Sequence, residues 1–566
     1  MSADTPVGLR ISRYSPLQPW STPGSRIQLE VVCQAQAPLR ARLDHELLDL
    51  DHVVERVEQV VRLPSGRSVR RIALRLPPSA PRGYGLRLLV TDGSGRRVAR
   101  ATSAVEALDG WWQAPRHACL TDFAPGIDPT AAVQRLADWH VTALQFYDWM
   151  WRHYRYRPPA GDEFLDTLGR RVSHATVRRA IRAAHRYGLA ALAYGSVYGA
   201  EREYADRHPE QLLRDTDGTP LSLAQLFFIT DLRPGSAWRR QLLREYVRAC
   251  REFGFDGIHM DQYGQPRAGI TADGERLDLA RTFPGLVAEA DRRLRATHPS
   301  RRVLFNLVGG WPLPEVARAP SAATYIEVWP PDVSYADIVR LVESARAAAP
   351  ERAVILAAYL SVMGLPHQGR TARAAAAEAA VLLSSIVLAA GAHHHVLAEG
   401  DRVLTEGYYP TAAPMRRVEA EELRAAWVFA ARYGHLLGGP GTEVASAAGY
   451  RLLDARGRRV PTSTLPLAGH VWLRPVRSAD GTLTLSLLDL RGQRDDRWDA
   501  PRTSAPARSG WRLDPPASKL GRWLLASPWS RGGDAVALQE LAARGGRPGE
   551  LRLPRFRRWG LLIAPR

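Results

Sequence analysis

The sequence predicts a multidomain α/β plus all-β protein, in which a (β/α)8 TIM barrel is flanked by two β-sandwiches. Between residues 110 and 436, apolar runs of strand length alternate with helical patterns. On both sides of this region, short segments with alternating apolar residues follow one another, separated by turns. The 566 residues leave room for two to four domains, and we place the domains at 1–109, 110–436 and 437–566.

The N-terminal region has the pattern of a β-sandwich. The segments "RIQLEVVCQA", "SVRRIALRLP" and "YGLRLLVTD" alternate with period 2, and "PSGRS" and "DGSGR" provide turns. Strands at this spacing predict an immunoglobulin-like sandwich for residues 1–109.

The central region supplies eight strand candidates. They are residues 118–123, 141–148, 189–196, 255–261, 302–308, 323–329, 353–360 and 392–398. Eight β/α units in about 325 residues fit a TIM barrel with long loops. An open doubly wound sheet is the alternative, although no GxGxxG motif follows the first strand to indicate a dinucleotide site.

The helices between these strands have recognisable ends. Asp128 is expected at an N-cap with Pro129 at the first helical position, and Gly188 is expected just after a helix end. After residue 437 the segments "HVWLRPVR", "TLTLSLLDLRG", "GELRLP" and "RWGLLIAP" predict a second β-sandwich at the C-terminus.

The formal net charge of +19 does not by itself indicate a nucleic-acid partner. The basic residues are almost all arginine, with Lys519 as the one lysine, and they are scattered over predicted helix surfaces. We therefore expect no specific nucleic-acid partner. The sequence does not predict the oligomeric state.

The chain shows no secretory signal and no clear membrane span. The start "MSADTPVGLRISRYSPLQPW" has no apolar core, which favours the cytoplasm, with secretion as the alternative if the start is misassigned. The apolar stretch 377–392 is too short to span a bilayer and carries Glu378, so we expect a buried helix and no membrane partner. The three cysteines are far apart and suggest neither a disulfide framework nor a metal site.

Acidic residues stand at the ends of four predicted barrel strands. Catalytic side chains of TIM barrels lie at the C-terminal strand ends, where the sequence has Asp122, Asp148, Asp261 and Glu327. Asp261 alone could cap a turn, whereas Glu327 inside "YIEVW" would be unfavourable if buried without a partner.

Aromatic residues are interleaved with these acids, and any one of them could belong to the core. Flat apolar rings beside carboxylates suit a sugar cleft, and the chemistry that follows is glycoside hydrolysis by one ionised and one protonated carboxyl. His393, His394 and His395 cannot all face one ion on a strand, so we expect no metal, and nothing indicates a cofactor.

Four segments, in order, resemble glycoside hydrolase family 66, which contains endo-dextranases and cycloisomaltooligosaccharide glucanotransferases. They are "LQFYDWMWRHYRYRPP" (144–159), "GFDGIHMDQYG" (254–264), "YIEVWPP" (325–331) and "GAHHHVLAEGDRVLTEGYYP" (391–410). The resemblance implies that Asp261 is the nucleophile and Glu327 the general acid/base of a retaining mechanism on α-1,6-linked glucan or isomaltooligosaccharides. The candidates for substrate binding are Asp122, Asp148, Trp151, His153, Tyr194, Tyr263, Trp329 and His394.

Within this resemblance, hydrolysis is our leading expectation. Glucanotransferases of the family carry a carbohydrate-binding insertion late in the barrel, and only about 30 residues separate Tyr359 from Gly391 here. Val396 also departs from the family, which has an acid or polar residue there in many members. The alternatives are a glucanotransferase and a carbohydrate-binding protein without catalysis, and we expect the loop 199–234 to shape the rim of the cleft.

Overall fold

The computed structural model describes residues 8–79, 81–408, 411–516, 521–540 and 549–566. The N-terminal strands form two sheets, with strand orders β1-β3-β6 and β2-β8-β7-β4-β5. Leu29 and Val31 from one sheet meet Leu47 and Leu86 from the other in one buried cluster, which makes this region a β-sandwich. Its strands are β1 (Leu9–Pro16), β2 (Trp20–Ser21), β3 (Arg26–Ala35), β4 (Leu39–Asp49), β5 (His52–Leu63), β6 (Gly66–Arg75), β7 (Arg82–Asp92) and β8 (Arg97–Ala107).

Parallel strands and helices alternate through the centre of the chain. The first half comprises β9 (His117–Leu120), α1 (Thr130–Asp138), β10 (Ala143–Phe146), β11 (Glu163–Leu165), β12 (Arg171–Ser173), α2 (His174–Arg186), β13 (Ala190–Ser196), β14 (Gly199–Glu201), α3 (Arg202–Arg207), β15 (Ser222–Leu223), β16 (Phe227–Ile229) and α4 (Ala237–Arg248). The second half comprises β17 (Gly257–Asp261), β18 (Ala268–Ile270), β19 (Arg276–Asp278), α5 (Leu279–Arg295), β20 (Arg302–Val308), α6 (Leu313–Val316), β21 (Thr324–Glu327), α7 (Tyr335–Ala348), β22 (Val354–Ala357), α8 (Ser361–Gly364), α9 (Gly369–Ala389), β23 (His393–His395), β24 (Leu397–Ala398), β25 (Arg402–Leu404), β26 (Ala412–Pro414) and α10 (Arg417–Gly438).

The central parallel sheet closes on itself. Its strands follow the order β9-β10-β13-β17-β20-β21-β22-β23, each parallel to its neighbour. The segment 393–398 completes the ring, because its first half pairs with β22 and its second half with β9. The closed ring has no free parallel edges, so the open doubly wound alternative does not describe this sheet.

Helix ends lie close to the predicted positions. α1 begins at Thr130, one residue later than expected, and Asp128 Oδ1 accepts the Thr130 N–H at 3.0 Å. Gly188 follows α2 with φ +71°, the left-handed conformation that ends helices. α9 is long and apolar enough to cross a membrane by length and composition, yet 72% of its most apolar window is buried inside the protein. A helix in the core of a protein can meet the same criteria of length and hydropathy.

The C-terminal strands form two further sheets that enclose a core. They are β27 (Glu443–Val444), β28 (Arg451–Leu453), β29 (Thr462–Ser463), β30 (Val471–Arg477), β31 (Leu483–Asp489), β32 (Arg512–Asp514), β33 (Leu524–Ala526), β34 (Val536–Ala537), β35 (Gln539–Glu540), β36 (Leu551–Arg552) and β37 (Trp559–Ala564). Leu452 of the β28-β32-β36-β35 sheet and Leu485 of the larger sheet share a cluster. Trp472 and Trp559, on the larger sheet, join the core of the barrel. The division of the chain into three domains, at 1–109, 110–436 and 437–566, stays a prediction.

Candidate active site

A half-buried and a buried carboxyl group meet at the C-terminal end of the parallel ring. Asp261 ends β17 and Glu327 ends β21, and β20 lies between these strands. The amide of Asn306, on β20, donates to Asp261 Oδ1 at 2.7 Å and to Glu327 Oε2 at 2.9 Å. The two acceptor oxygens therefore cannot be farther apart than these two distances together. So close an approach of two carboxyl oxygens favours the arrangement of retaining glycosidases, whose carboxyls lie about 5–5.5 Å apart, over that of inverting ones, at about 6.5–9.5 Å.

Two tyrosines fix the other oxygen of each carboxyl. The Tyr194 hydroxyl donates to Asp261 Oδ2 at 2.8 Å, and the Tyr359 hydroxyl donates to Glu327 Oε1 at 2.9 Å. Each carboxyl thus accepts two hydrogen bonds from neutral donors that stand on neighbouring strands. The orientation of the pair is set before any substrate arrives.

Burial raises the pKa of both carboxyl groups. For Asp261 the negative charge of Glu327 raises the pKa further, while the hydrogen bonds from Asn306 and Tyr194 lower it. For Glu327 burial is again the largest cause, opposed by the hydrogen bonds from Asn306 and Tyr359. Two close carboxyls with raised pKa values favour a pair that shares one proton near neutral pH, so one group is an acid while the other is ionised.

The pair faces a cavity of about 270 Å³ with mostly apolar and aromatic walls. Five of the predicted substrate-binding residues line it, namely Asp148, His153, Tyr194, Tyr263 and Trp329. The remaining lining residues are Tyr147, Leu168, Leu223, Ala224, Leu226, Phe227, Gln262, Val308, Gly407 and Tyr408. Rings beside carboxyls provide the stacking faces and hydrogen-bond acceptors that a sugar needs.

Asp148 brings a third carboxyl to the cavity. Its backbone is left-handed, with φ +47°, just after the end of β10. Arg170 donates to Asp148 Oδ2 at 2.8 Å and is itself held by Asp166 at 2.7 Å. Burial raises the pKa of Asp148 to about 6, and the charge of Arg170 opposes this rise.

His153 and Trp329 stand on different walls. His153 stacks on Phe227 with ring centroids 4.6 Å apart, and its backbone N–H donates to Glu201 Oε1 at 2.8 Å. The ring centroid of Trp329 lies 4.9 Å from that of Tyr408. The loop 199–234 therefore contributes to the cavity wall through Phe227, as expected for a segment that shapes the rim.

Three predicted binding residues lie outside the cavity. Asp122 is exposed, two residues beyond the end of β9, and accepts the Ala124 N–H at 3.1 Å. Trp151 packs near Tyr154, and the Arg152 guanidinium covers its ring at 4.7 Å. Asp122 and Trp151 are therefore engaged in local contacts instead of facing the carboxyl pair, and His394 is the third residue outside the cavity.

His394 is a buried residue of β23 that packs against α9. Its Nε2 donates to the Ala358 carbonyl oxygen at 3.0 Å, and the Ser384 hydroxyl donates to Nδ1 at 2.8 Å. His395 faces the opposite way, toward the Tyr325 hydroxyl at 2.9 Å from its Nδ1. This alternation follows from strand geometry. Among the described residues, no group of three His, Cys, Asp or Glu side chains is arranged to hold a metal ion.

Several site residues were missing from the sequence-based set. Asn306 had a signal, an amide inside the apolar strand "RVLFNLV". Tyr359 lies near the end of the predicted strand 353–360, and its hydroxyl donates to Glu327. Gly407 had no signal: a Cβ there would lie 2.5 Å from the Tyr359 ring and 2.8 Å from Glu327 Oε1, so any larger residue would displace these side chains.

Comparisons with known proteins identify the family of the chain. The family model described as "Glycosyl hydrolase family 66" matches residues 20–562. Two cycloisomaltooligosaccharide glucanotransferases of Niallia circulans are similar, one 28% identical over 345 residues (56% of this chain and 34% of the relative) and one 29% identical over 293 residues (47% and 30%). The chain thus matches about a third of the length of these curated relatives.

A solved structure shares the fold. It is a cycloisomaltooligosaccharide glucanotransferase of Paenibacillus sp. complexed with cycloisomaltoheptaose, and it superposes with a TM-score of 0.86. The match covers 98% of this chain and 99% of that chain at 18% identity, which establishes similarity of fold. With the family model spanning nearly the whole sequence, the chain belongs to glycosyl hydrolase family 66.

Proposed function

We propose that this protein is a retaining glucanotransferase that cleaves α-1,6-linked glucans and passes the glucosyl group to a sugar hydroxyl. The observation that supports the proposal is the Asn306 amide, which donates to both Asp261 and Glu327 and so keeps the two carboxyls close, as a double-displacement mechanism needs. The α-1,6 linkage rests on the family resemblance and on the names of the relatives.

In the first step, an ionised Asp261 oxygen attacks the anomeric carbon while Glu327 gives its proton to the leaving glycosidic oxygen. The bond between the anomeric carbon and that oxygen breaks, and a covalent glucosyl ester forms on Asp261. Burial favours one proton on the pair before the reaction, because two negative charges at this distance are disfavoured there.

In the second step, the Glu327 carboxylate takes the proton of an incoming hydroxyl. The hydroxyl oxygen bonds to the anomeric carbon as the ester bond to Asp261 breaks, which restores the ionised Asp261 and the protonated Glu327. A sugar hydroxyl gives transfer, and water gives hydrolysis. Asp148, His153, Tyr263 and Trp329 are positioned to hold the sugar around the reacting carbon.

Transfer replaces hydrolysis as the leading proposal because both curated relatives and the solved structure are named glucanotransferases. A dextranase-like hydrolase is the second candidate. The observation in its favour is the short interval between Tyr359 and Gly391, with no room for the carbohydrate-binding insertion expected of the transferases.

The test is to incubate the purified protein with dextran and follow reducing ends and product sizes together. Transfer predicts products that include cyclic or elongated isomaltooligosaccharides, with fewer new reducing ends than bonds cleaved. A ladder of linear products with one reducing end per cleavage would favour the hydrolase. Absence of any product from dextran and from isomaltooligosaccharides would contradict the α-1,6 proposal, and Asp261→Asn serves as the inactive control.

A further inference from the structure

A hairpin tip covers one side of the catalytic cavity with apolar side chains. We define the hairpin tip as residues 223–227, between β15 and β16. Leu223 pairs with Phe227, and the Leu226 N–H donates to the Leu223 carbonyl oxygen at 3.0 Å. The residues of the tip that line the cavity are Leu223, Ala224, Leu226 and Phe227. None of these four side chains carries a hydrogen-bonding group.

The backbone of the hairpin tip is strained. Its two central residues, Ala224 and Gln225, both have left-handed backbones, with φ +52° and +58°. A turn of this kind favours Gly, Asn or Asp at both positions, because a Cβ is unfavourable there. Backbone strain of this type persists where surrounding contacts impose it, and it concentrates at functional sites.

Contacts on both sides hold the hairpin tip in place. On the cavity side, Phe227 stacks on His153 with ring centroids 4.6 Å apart. On the outer side, the Arg202 guanidinium lies 4.9 Å from the ring centroid of the adjacent Phe228. Leu226 is 40% exposed although it lines the cavity, so it stands at the cavity mouth, where an acceptor or water enters.

We propose that the hairpin tip determines how the glucosyl-enzyme is partitioned between sugar acceptors and water. This inference rests on the proposed function. An apolar mouth gives water no hydrogen-bond partner, whereas the C–H face of a sugar ring gains contact with Leu226 and Phe227. Both fates break the same ester bond to Asp261 and give the same proton to Glu327. The identity of the incoming oxygen is therefore decided by which molecule occupies the mouth.

The test compares leucine variants at the mouth and elsewhere. Leu226→Ser makes the mouth polar, and Leu226→Met keeps it apolar. Leu165→Ser is the matched control, because Leu165 is a 56% exposed leucine at the end of β11, outside the cavity. With an isomaltooligosaccharide of defined length, transfer is counted as products longer than the substrate and hydrolysis as new reducing ends.

We expect Leu226→Ser to lower the ratio of transfer to hydrolysis by about fivefold, as for the loss of a small apolar contact. Leu226→Met and Leu165→Ser should keep the parent ratio. An unchanged ratio in both Leu226→Ser and Leu226→Asp would overturn the inference. A parent that gives only hydrolysis products, or no products at all, would instead overturn the proposed function.

Discussion

Asn306 links Asp261 and Glu327, the two carboxyls that we propose as catalytic, into a pair. A lysine or arginine between them would keep both groups ionised, and a leucine would leave two buried oxygens without donors. A neutral amide gives one hydrogen bond to each carboxyl and carries no charge of its own. It therefore moderates the pKa values of both groups without removing the shared proton on which the mechanism depends.

Asn306→Ala should raise the pKa values of both carboxyls, because the hydrogen bonds from this amide lower them. The nucleophile must be ionised, so the acid limb of the pH profile of kcat/KM should move to higher pH. Gln241→Ala is the control, since its amide donates to the Tyr154 carbonyl oxygen outside the cavity. A lower kcat with an unchanged pH profile would show that Asn306 is only a scaffold residue.

The roles that we propose for Asp261 and Glu327 predict different products with azide. Glu327→Ala should lose about 10²–10⁴-fold of its activity on dextran, as for a missing general acid/base, and Asp261→Gly should lose at least as much. With α-glucosyl fluoride and azide, Asp261→Gly should give the β-glucosyl azide by one displacement. Glu327→Ala should give the α-glucosyl azide by two, and the opposite pattern would reverse the assignment. Glu351→Gln, a 65% exposed acid, should behave as the parent.

At the scale of elements, the barrel strands could be predicted because each parallel strand is buried on both faces and reads as an apolar run. The predicted strand 255–261 and the observed Gly257–Asp261 end at the same carboxyl. The strand-end rule does not separate Asp122 from Asp148, because each lies two residues beyond the end of its strand. Asp148 has a left-handed backbone and accepts from Arg170 at the cavity, whereas Asp122 is exposed and accepts the Ala124 N–H.

Loops could not be predicted in the same way. Tyr408 and the hairpin tip reach the cavity through contacts with residues far away in sequence, such as Trp329 and His153. No local pattern encodes these distances. The left-handed Ala224 and Gln225 even contradict local preference, which shows that the surrounding fold imposes the turn.

Helix α9 depends on one buried ion pair. Glu378, on its apolar face, is 6% exposed and pairs with Arg558, which also donates to Glu422 of α10 at 2.6 Å. Arg558→Met should destabilise the protein by about 3–5 kcal/mol, because it leaves a buried carboxylate unpaired. The double variant with Glu378→Met should recover much of this loss in thermal unfolding. Equal melting temperatures for Arg558→Met and the parent would contradict this role.

At the scale of the whole molecule, Asp534 joins three regions of the chain. Its Oδ1 accepts from Arg432 of α10 at 2.6 Å, and its Oδ2 lies 3.3 Å from Arg87 of β7 and also contacts Arg100 of β8. Asp534 and Arg432 are 6% and 3% exposed. A single carboxylate thus links the C-terminal sheets, the barrel helices and the N-terminal sandwich.

Asp534→Ala should lower the melting temperature by several degrees, since it leaves the buried Arg432 without its carboxylate at a cost of about 3–5 kcal/mol. Asp514→Ala is the control, because its partner Arg451 is an exposed surface group and such pairs contribute about 0–1 kcal/mol. Calorimetry should show a larger loss for the first variant. Equal losses would mean that Asp534 contributes no more than a surface pair.

The segment 393–398 has a consequence for how the chain is made. Its two halves pair with β22 and with β9, and β9 begins at residue 117. The ring therefore cannot close until the ribosome has released nearly the whole barrel, and until then the nascent sheet has two open edges. Unpaired edges invite association with other chains, and pairing over such a sequence distance is slow. We expect substitutions in the segment 393–398 to increase aggregation during synthesis. Substitutions in strands whose partners are adjacent in sequence should have a smaller effect.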